Sequence, residues 1–178
     1  MDIYYFKLIN RKLKMKFLSR LFKTKEDSKK NIRADSVKNN SNASNYVNSN
    51  NFSSATNYFI WVDLKNFKVN IFNGSINKWT LVYSYLCTIG KKATPTPKGT
   101  YTIGVKGLYF GVNKGYKCWY YTQFKENYLF HSIIYNLDGS VRDGRLGMAL
   151  SDGCIRLTKV NAKWIWDNIP SGTKVVIS

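Results

Sequence analysis

From Tyr58 onward the chain reads as a series of strand-like segments. Phe67, Val69 and Ile71 fall on every second position before the turn pair Asn73-Gly74, the two-residue period of a half-buried strand. The same pattern predicts strands over Tyr58–Leu64, Asn66–Phe72, Trp79–Ile89, Gly99–Val105, Leu108–Val112, Trp119–Phe124 and Tyr128–Ile134. A short closing strand is expected at Val175-Val176-Ile177. One segment has helical spacing instead: Val160, Trp164, Ile165 and Ile169 recur over Lys159–Asn168, with Thr158 as N-cap and Pro170 and Gly172 as stop signals. The fold expected is therefore mainly β, with one or two short helices.

Upstream the pattern dissolves. Residues 1–23 mix apolar side chains with Lys7, Arg11, Lys12, Lys14, Lys16, Arg20 and Lys23. They hold no uncharged run long enough to span a bilayer and no recognisable signal peptide, so the reading is a basic leader that can lie on an anionic membrane surface. Residues 24–57 are polar and rich in Asn, Ser and Lys; with little apolar area to offset chain entropy, they read as a flexible, disordered tether. The folded domain is expected over residues 58–178.

Composition sharpens this. Thirteen Tyr, ten Phe and five Trp in 178 residues favour strands over a helical bundle. The formal charge of +18 implies attraction to polyanions such as an anionic cell-wall polymer or a membrane surface. No zinc-ligand cluster, heptad zipper or RNP-type aromatic pattern accompanies it, so nucleic-acid binding is not expected. Three widely spaced cysteines argue against a disulfide framework. Cys87 and Cys118 read as small buried hydrophobes, and a single histidine makes a structural zinc site improbable.

That histidine, His131, ends the apolar run Tyr128-Leu129-Phe130. A turn-rich loop, Asn136 to Gly147, leads to Ser151-Asp152-Gly153-Cys154-Ile155-Arg156. An imidazole and a thiol are the minimum set for thiol nucleophilic catalysis, since a base must generate the thiolate and an activated thiol is expected to have a depressed pKa. Gly153 permits positive φ, and the amides of Gly153 and Cys154 are candidates for an oxyanion hole.

These residues resemble the catalytic domain of the L,D-transpeptidases, the YkuD-like family of peptidoglycan enzymes. The matching set is His131 and Ser132, then Ser151, Gly153, Cys154, Ile155 and Arg156. Three further stretches match in order: Thr94 to Ile103, Gly144-Arg145-Leu146-Gly147, and Gly172 to Ile177. The resemblance implies a sandwich-like β fold and a monomeric, cofactor-free cysteine acyltransferase outside the cytoplasmic membrane, at the bacterial cell wall. Cys154 would attack a tetrapeptide stem, release D-alanine and pass the stem to an amine, forming a 3→3 cross-link. His131 would be the base, held by the Ser132 carbonyl, and Arg156 would position the substrate or brace the loop. Asp152 stands where the family usually has histidine, and is expected to turn away or to pair with His131 or Arg156 and so tune the imidazole. An L,D-carboxypeptidase on the same site and an inactive wall-binding module are the competing readings.

Overall fold

The structure, a computed structural model, describes residues 41–178. The basic leader at 1–23 and residues 24–40 of the expected tether lie outside the described residues. A helix at residues 41–49 (α1) is followed by β1 (Tyr58–Asp63), β2 (Lys68–Asn73), β3 (Thr80–Leu86), β4 (Ile89–Gly90), β5 (Gly99–Thr102) and β6 (Lys106–Phe110). Then come β7 (Lys117–Lys125), β8 (Tyr128–Ser132), β9 (Ile134–Tyr135), β10 (Val141–Asp143), β11 (Ala149–Ser151), β12 (Ile155–Leu157), α2 (Lys159–Asn168) and β13 (Lys174–Ile177). The mainly β expectation holds.

The alternation that predicts β1 and β2 places them antiparallel, with Ile60 opposite Ile71 and Phe59 opposite Phe72. Their sheet has the order β3-β2-β1-β13-β5, with β13 parallel to β1. A second sheet runs β10-β9-β7-β8-β12, with β6 on β7, and β11 pairs with β4 apart from both. One core fills the space between: Ile60, Val62, Val69, Ile71, Val175 and Ile177 from the first sheet meet Phe124, Phe130, Ile155 and Leu157 from the second and Ala162, Ile165 and Ile169 of the helical segment. The Thr158 side chain accepts from the Asn161 amide, the N-cap that the sequence predicts for α2.

The expected domain start is corrected. The tether does not run to residue 57, because Ala43 and Val47 of α1 pack with Phe59, Phe72, Trp79 and Val176 in a second apolar cluster. Phe59, Phe72 and Val176 project from the opposite face of the first sheet to Ile60, Ile71 and Val175, so that sheet is buried on both sides. Asn48 fixes the cover in place: its side chain accepts from the Trp79 amide at 2.8 Å and donates to the Trp79 carbonyl at 2.9 Å. Trp79 Nε1 in turn donates to the Phe52 carbonyl.

The remaining differences are local. Gly111 (φ 94°) and Gly115 (φ 76°) bracket a 3₁₀ turn, Val112–Lys114, which ends β6 two residues earlier than the pattern suggests. The stretch from Asn136 to Leu157 contains three short strands, β10 to β12, too brief for a periodic signal. Among the described residues, no helix is long and apolar enough to cross a membrane.

Candidate active site

Two parallel strands bring the candidate nucleophile and base together. β12 runs alongside β8 with Ile155 opposite Phe130, Arg156 opposite His131 and Leu157 opposite Ser132. Cys154, one residue before β12, therefore sits level with Leu129, about 6–7 Å along the strand from His131. Parallel pairing requires a long crossover between the two strands, and the turn-rich stretch from Ile133 to Cys154 supplies it.

His131 is 5% exposed, and its Nδ1 lies 2.6 Å from the Ser132 carbonyl oxygen. A carbonyl only accepts, so Nδ1 carries the hydrogen and Nε2 keeps its lone pair. The Ser132 hydroxyl donates to the Ile133 carbonyl and accepts from the Trp119 amide at 2.8 Å, which anchors this end of β8 to β7. The Phe110 ring stands edge-on to the imidazole, centroids 5.1 Å apart. Burial pulls the imidazole pKa down to about 4; the Ser132 hydrogen bond opposes this, and the Arg156 charge adds to it. Near pH 7 the His131 imidazole is neutral and is oriented by the Ser132 carbonyl.

The thiol is neutral as well. Burial raises the Cys154 pKa, the Leu129 backbone hydrogen bond lowers it, the Asp152 charge raises it and Arg156 lowers it. The direction is the opposite of the depression expected of an activated thiol. Cys154 Sγ points to the Asn127 carbonyl at 3.6 Å rather than to the imidazole. Thiol and imidazole are thus both neutral near pH 7, without a standing thiolate–imidazolium ion pair. Cys87 and Cys118 are buried, with pKa values pushed up to about 12, as expected of inert thiols.

The turn carrying Cys154 closes on itself. Ser151 Oγ donates to the Cys154 carbonyl at 2.6 Å and accepts from the Gly153 amide at 3.1 Å. Of the two expected oxyanion donors, Gly153 N–H is thus already engaged, while Cys154 N–H has no acceptor among the described residues. Gly153 has φ 108°, and a Cβ there would come within 2.4 Å of the Tyr128 ring.

The turn is held from outside by Lys91, Thr94 and Thr96. Thr96 Oγ1 donates to the Gly153 carbonyl and accepts from the Gly90 amide, both at 2.8 Å. The Ser151 carbonyl accepts from the Lys91 amide at 2.9 Å and from Thr94 Oγ1 at 3.3 Å. Asp152 faces outward and binds Lys91 Nζ at 2.6 Å, with its side chain 81% exposed. Of the two expectations for Asp152, the structure has it turned away and not paired with His131 or Arg156: the Lys91 ammonium holds its carboxyl below the usual range, and Arg156 contributes least.

Arg156 braces the loop. Its Nη1 donates to Asp143 Oδ2 at 2.8 Å, and the same carboxylate receives Arg145 through Nε at 3.0 Å and Nη2 at 3.1 Å. These contacts hold Asp143 well below the ordinary carboxylate range. Sequence reading missed Lys91, Asp143 and Tyr128, which owe their importance to contacts across the fold. Burial raises the Tyr116 pKa, and Cys118, Cys154 and Asp152 each raise it further, placing the phenol in the electrostatic surroundings of the thiol.

Residues 57–177 match the YkuD family of L,D-transpeptidase catalytic domains, and the chain belongs to that family. A Bacillus subtilis (strain 168) protein, YciB, an L,D-transpeptidase by name, is 36% identical over 131 residues, 67% of this chain and 66% of that one. A solved Clostridium acetobutylicum ATCC 824 protein, described as a fused Zn-dependent amidase/peptidase with a peptidoglycan-binding domain, is 43% identical with a TM-score of 0.70. It covers 82% of this chain, which spans 62% of it. An L,D-transpeptidase from Mycobacterium smegmatis shares the fold at 18% identity and a TM-score of 0.54, over 68% of this chain and 58% of its own. The chain thus spans about three fifths to two thirds of these relatives. Enzymes of this family act on peptidoglycan outside the cytoplasm.

Proposed function

We propose that the protein is a cysteine acyltransferase that forms 3→3 cross-links between peptidoglycan stem peptides. The observation that carries this reading is the hydrogen bond from His131 Nδ1 to the Ser132 carbonyl, 2.6 Å, on the strand paired with the one that Cys154 precedes. It leaves Nε2 as the proton acceptor.

In the reaction, Nε2 takes the Cys154 proton as Sγ bonds to the carbonyl carbon of the amide between the third stem residue and D-alanine. The carbonyl electron pair moves to oxygen, and Cys154 N–H is the donor free to meet it. Collapse breaks the C–N bond, and the imidazolium returns its proton to the departing D-alanine amine. The thioester is then attacked by a side-chain amine of a second stem; Nε2 accepts the amine proton and gives it back to the thiolate as the C–S bond breaks. Every proton is conserved and no cofactor is required.

The test is mass spectrometry of disaccharide-tetrapeptide muropeptides after incubation with the wild-type chain and with Cys154→Ala. A dimer lacking one D-alanine, made only by the wild type, is the expected result. A Cys154-dependent tripeptide monomer would instead make the protein an L,D-carboxypeptidase. Unchanged substrate with folded wild-type protein would overturn the catalytic reading in favour of a wall-binding module.

A further inference from the structure

Lys117 and Lys159 hold their ammonium groups over the same indole. Lys117 Nζ is 4.7 Å from the Trp119 ring and 4.9 Å from Tyr109; Lys159 Nζ is 4.3 Å from Trp119 and 5.4 Å from Tyr135. Strand register builds the cluster: Tyr109 lies opposite Trp119, and Lys117 opposite Tyr135. Lys159 joins as the first residue of α2.

Alternation separates this cluster from the candidate active site. Cys118, between Lys117 and Trp119, is 1% exposed, and its partner Phe110 meets the His131 ring. Successive residues of one strand thus serve opposite faces. Among the described residues, neither Lys117 nor Lys159 meets a carboxylate; the ion pairs there use Lys91, Arg145, Arg156 and Lys163. An ammonium lying over a π face keeps N–H donors for an anion. Two uncompensated charges on a rigid aromatic platform, in a chain of net charge +18, form a surface complementary to a polyanion.

We propose that this surface docks an anionic polymer of repeating phosphodiesters, of the kind attached to a bacterial wall. Nucleic acid fits it less well, because base stacking needs free ring faces and the Trp119 indole already carries two ammonium groups. A lipid surface fits less well too: Tyr109 is 47% exposed, while Trp119 and Tyr135 are half-buried and have little to insert. Placing the polymer in the wall rests on the family's site of action; the charge complementarity does not.

The test is calorimetric titration of the full chain with a synthetic oligo(glycerol phosphate). Lys117→Gln/Lys159→Gln should weaken binding about tenfold and reduce the salt dependence by about two released ions, whereas Lys65→Gln/Lys78→Gln, removing the same charge from exposed positions elsewhere, should change it less than about threefold. Cys154→Ala should bind as the wild type does, so this result stands or falls apart from the chemistry at the thiol. Equal weakening by both double variants, absence of binding at low salt, or tighter binding to phosphatidylglycerol vesicles or single-stranded DNA would each overturn the proposal.

Discussion

Thr96 and Gly153 are joined by a hydrogen bond of 2.8 Å from the threonine hydroxyl to the glycine carbonyl, and the same hydroxyl accepts from the Gly90 amide. A Cβ on Gly90 would fall 2.3 Å from the Thr94 carbonyl oxygen, so Gly90 and the Thr94–Thr96 backbone are in close contact. Thr96→Val keeps the shape and removes both bonds, leaving buried polar groups unpaired. It should cost about 2 kcal/mol of stability and lower turnover by displacing the turn that carries Cys154. Urea midpoints and muropeptide turnover, with Thr96→Ser as the rescuing variant, check this; wild-type turnover in Thr96→Val would remove the positioning role.

The pH response follows from His131. Its folded pKa of about 4 lies below its ordinary 6.5, so between these values the unfolded chain binds the proton more readily. Stability is complete above about pH 6.5 and declines as pH falls toward 4, by about 3 kcal/mol at most. His131→Gln should flatten that decline in urea titrations. If His131 is the base, the acid limb of turnover should also lie near pH 4 rather than 6.5.

Alkylation offers an independent reading of the thiol. Because burial holds Cys154 above its ordinary pKa of 9.0, iodoacetamide should modify it slowly at pH 7, with a rate still rising beyond pH 9. Fast modification at pH 6, read by intact mass, would indicate a standing ion pair instead.

Asp143 should matter more for folding than Arg145. Asp143→Ala leaves Arg156, 6% exposed, as an unpaired buried charge and should destabilise by about 3 kcal/mol. Arg145, 63% exposed and screened by solvent, should contribute far less. Equal shifts of the two urea midpoints would contradict this.

Helix α1 belongs to the stable unit. Val47→Ala, at a fully buried position, should cost about 2 kcal/mol. A chain shortened to begin at residue 58 would expose Phe59, Phe72 and Trp79 and should sediment as aggregates where the full chain does not.

The strand β8 that carries His131 was legible as an apolar run, β2 by its two-residue period, and α2 because its cap and stop residues are strong local signals, whereas β12 beside His131 is too short to show either. The site was legible as far as the order His131, Ser132, Ser151, Gly153, Cys154, Arg156. What escaped is long-range: Lys91 reaches Asp152 across 61 residues, and the Gly153 carbonyl finds Thr96 across 57. Helix α1 escaped for a different reason. Its Asn/Ser-rich sequence has few apolar residues, and Ala43 and Val47 suffice only because Phe59, Phe72 and Trp79 supply the rest of that cluster.

The thirteenth strand has an uncommon position. β13 lies between β1 and β5, so residues made after all the other strands fill the interior of the first sheet, with Val175 and Ile177 at the shared core. Through that core the last strand backs Phe130 and Ile155, the chain neighbours of His131 and Cys154.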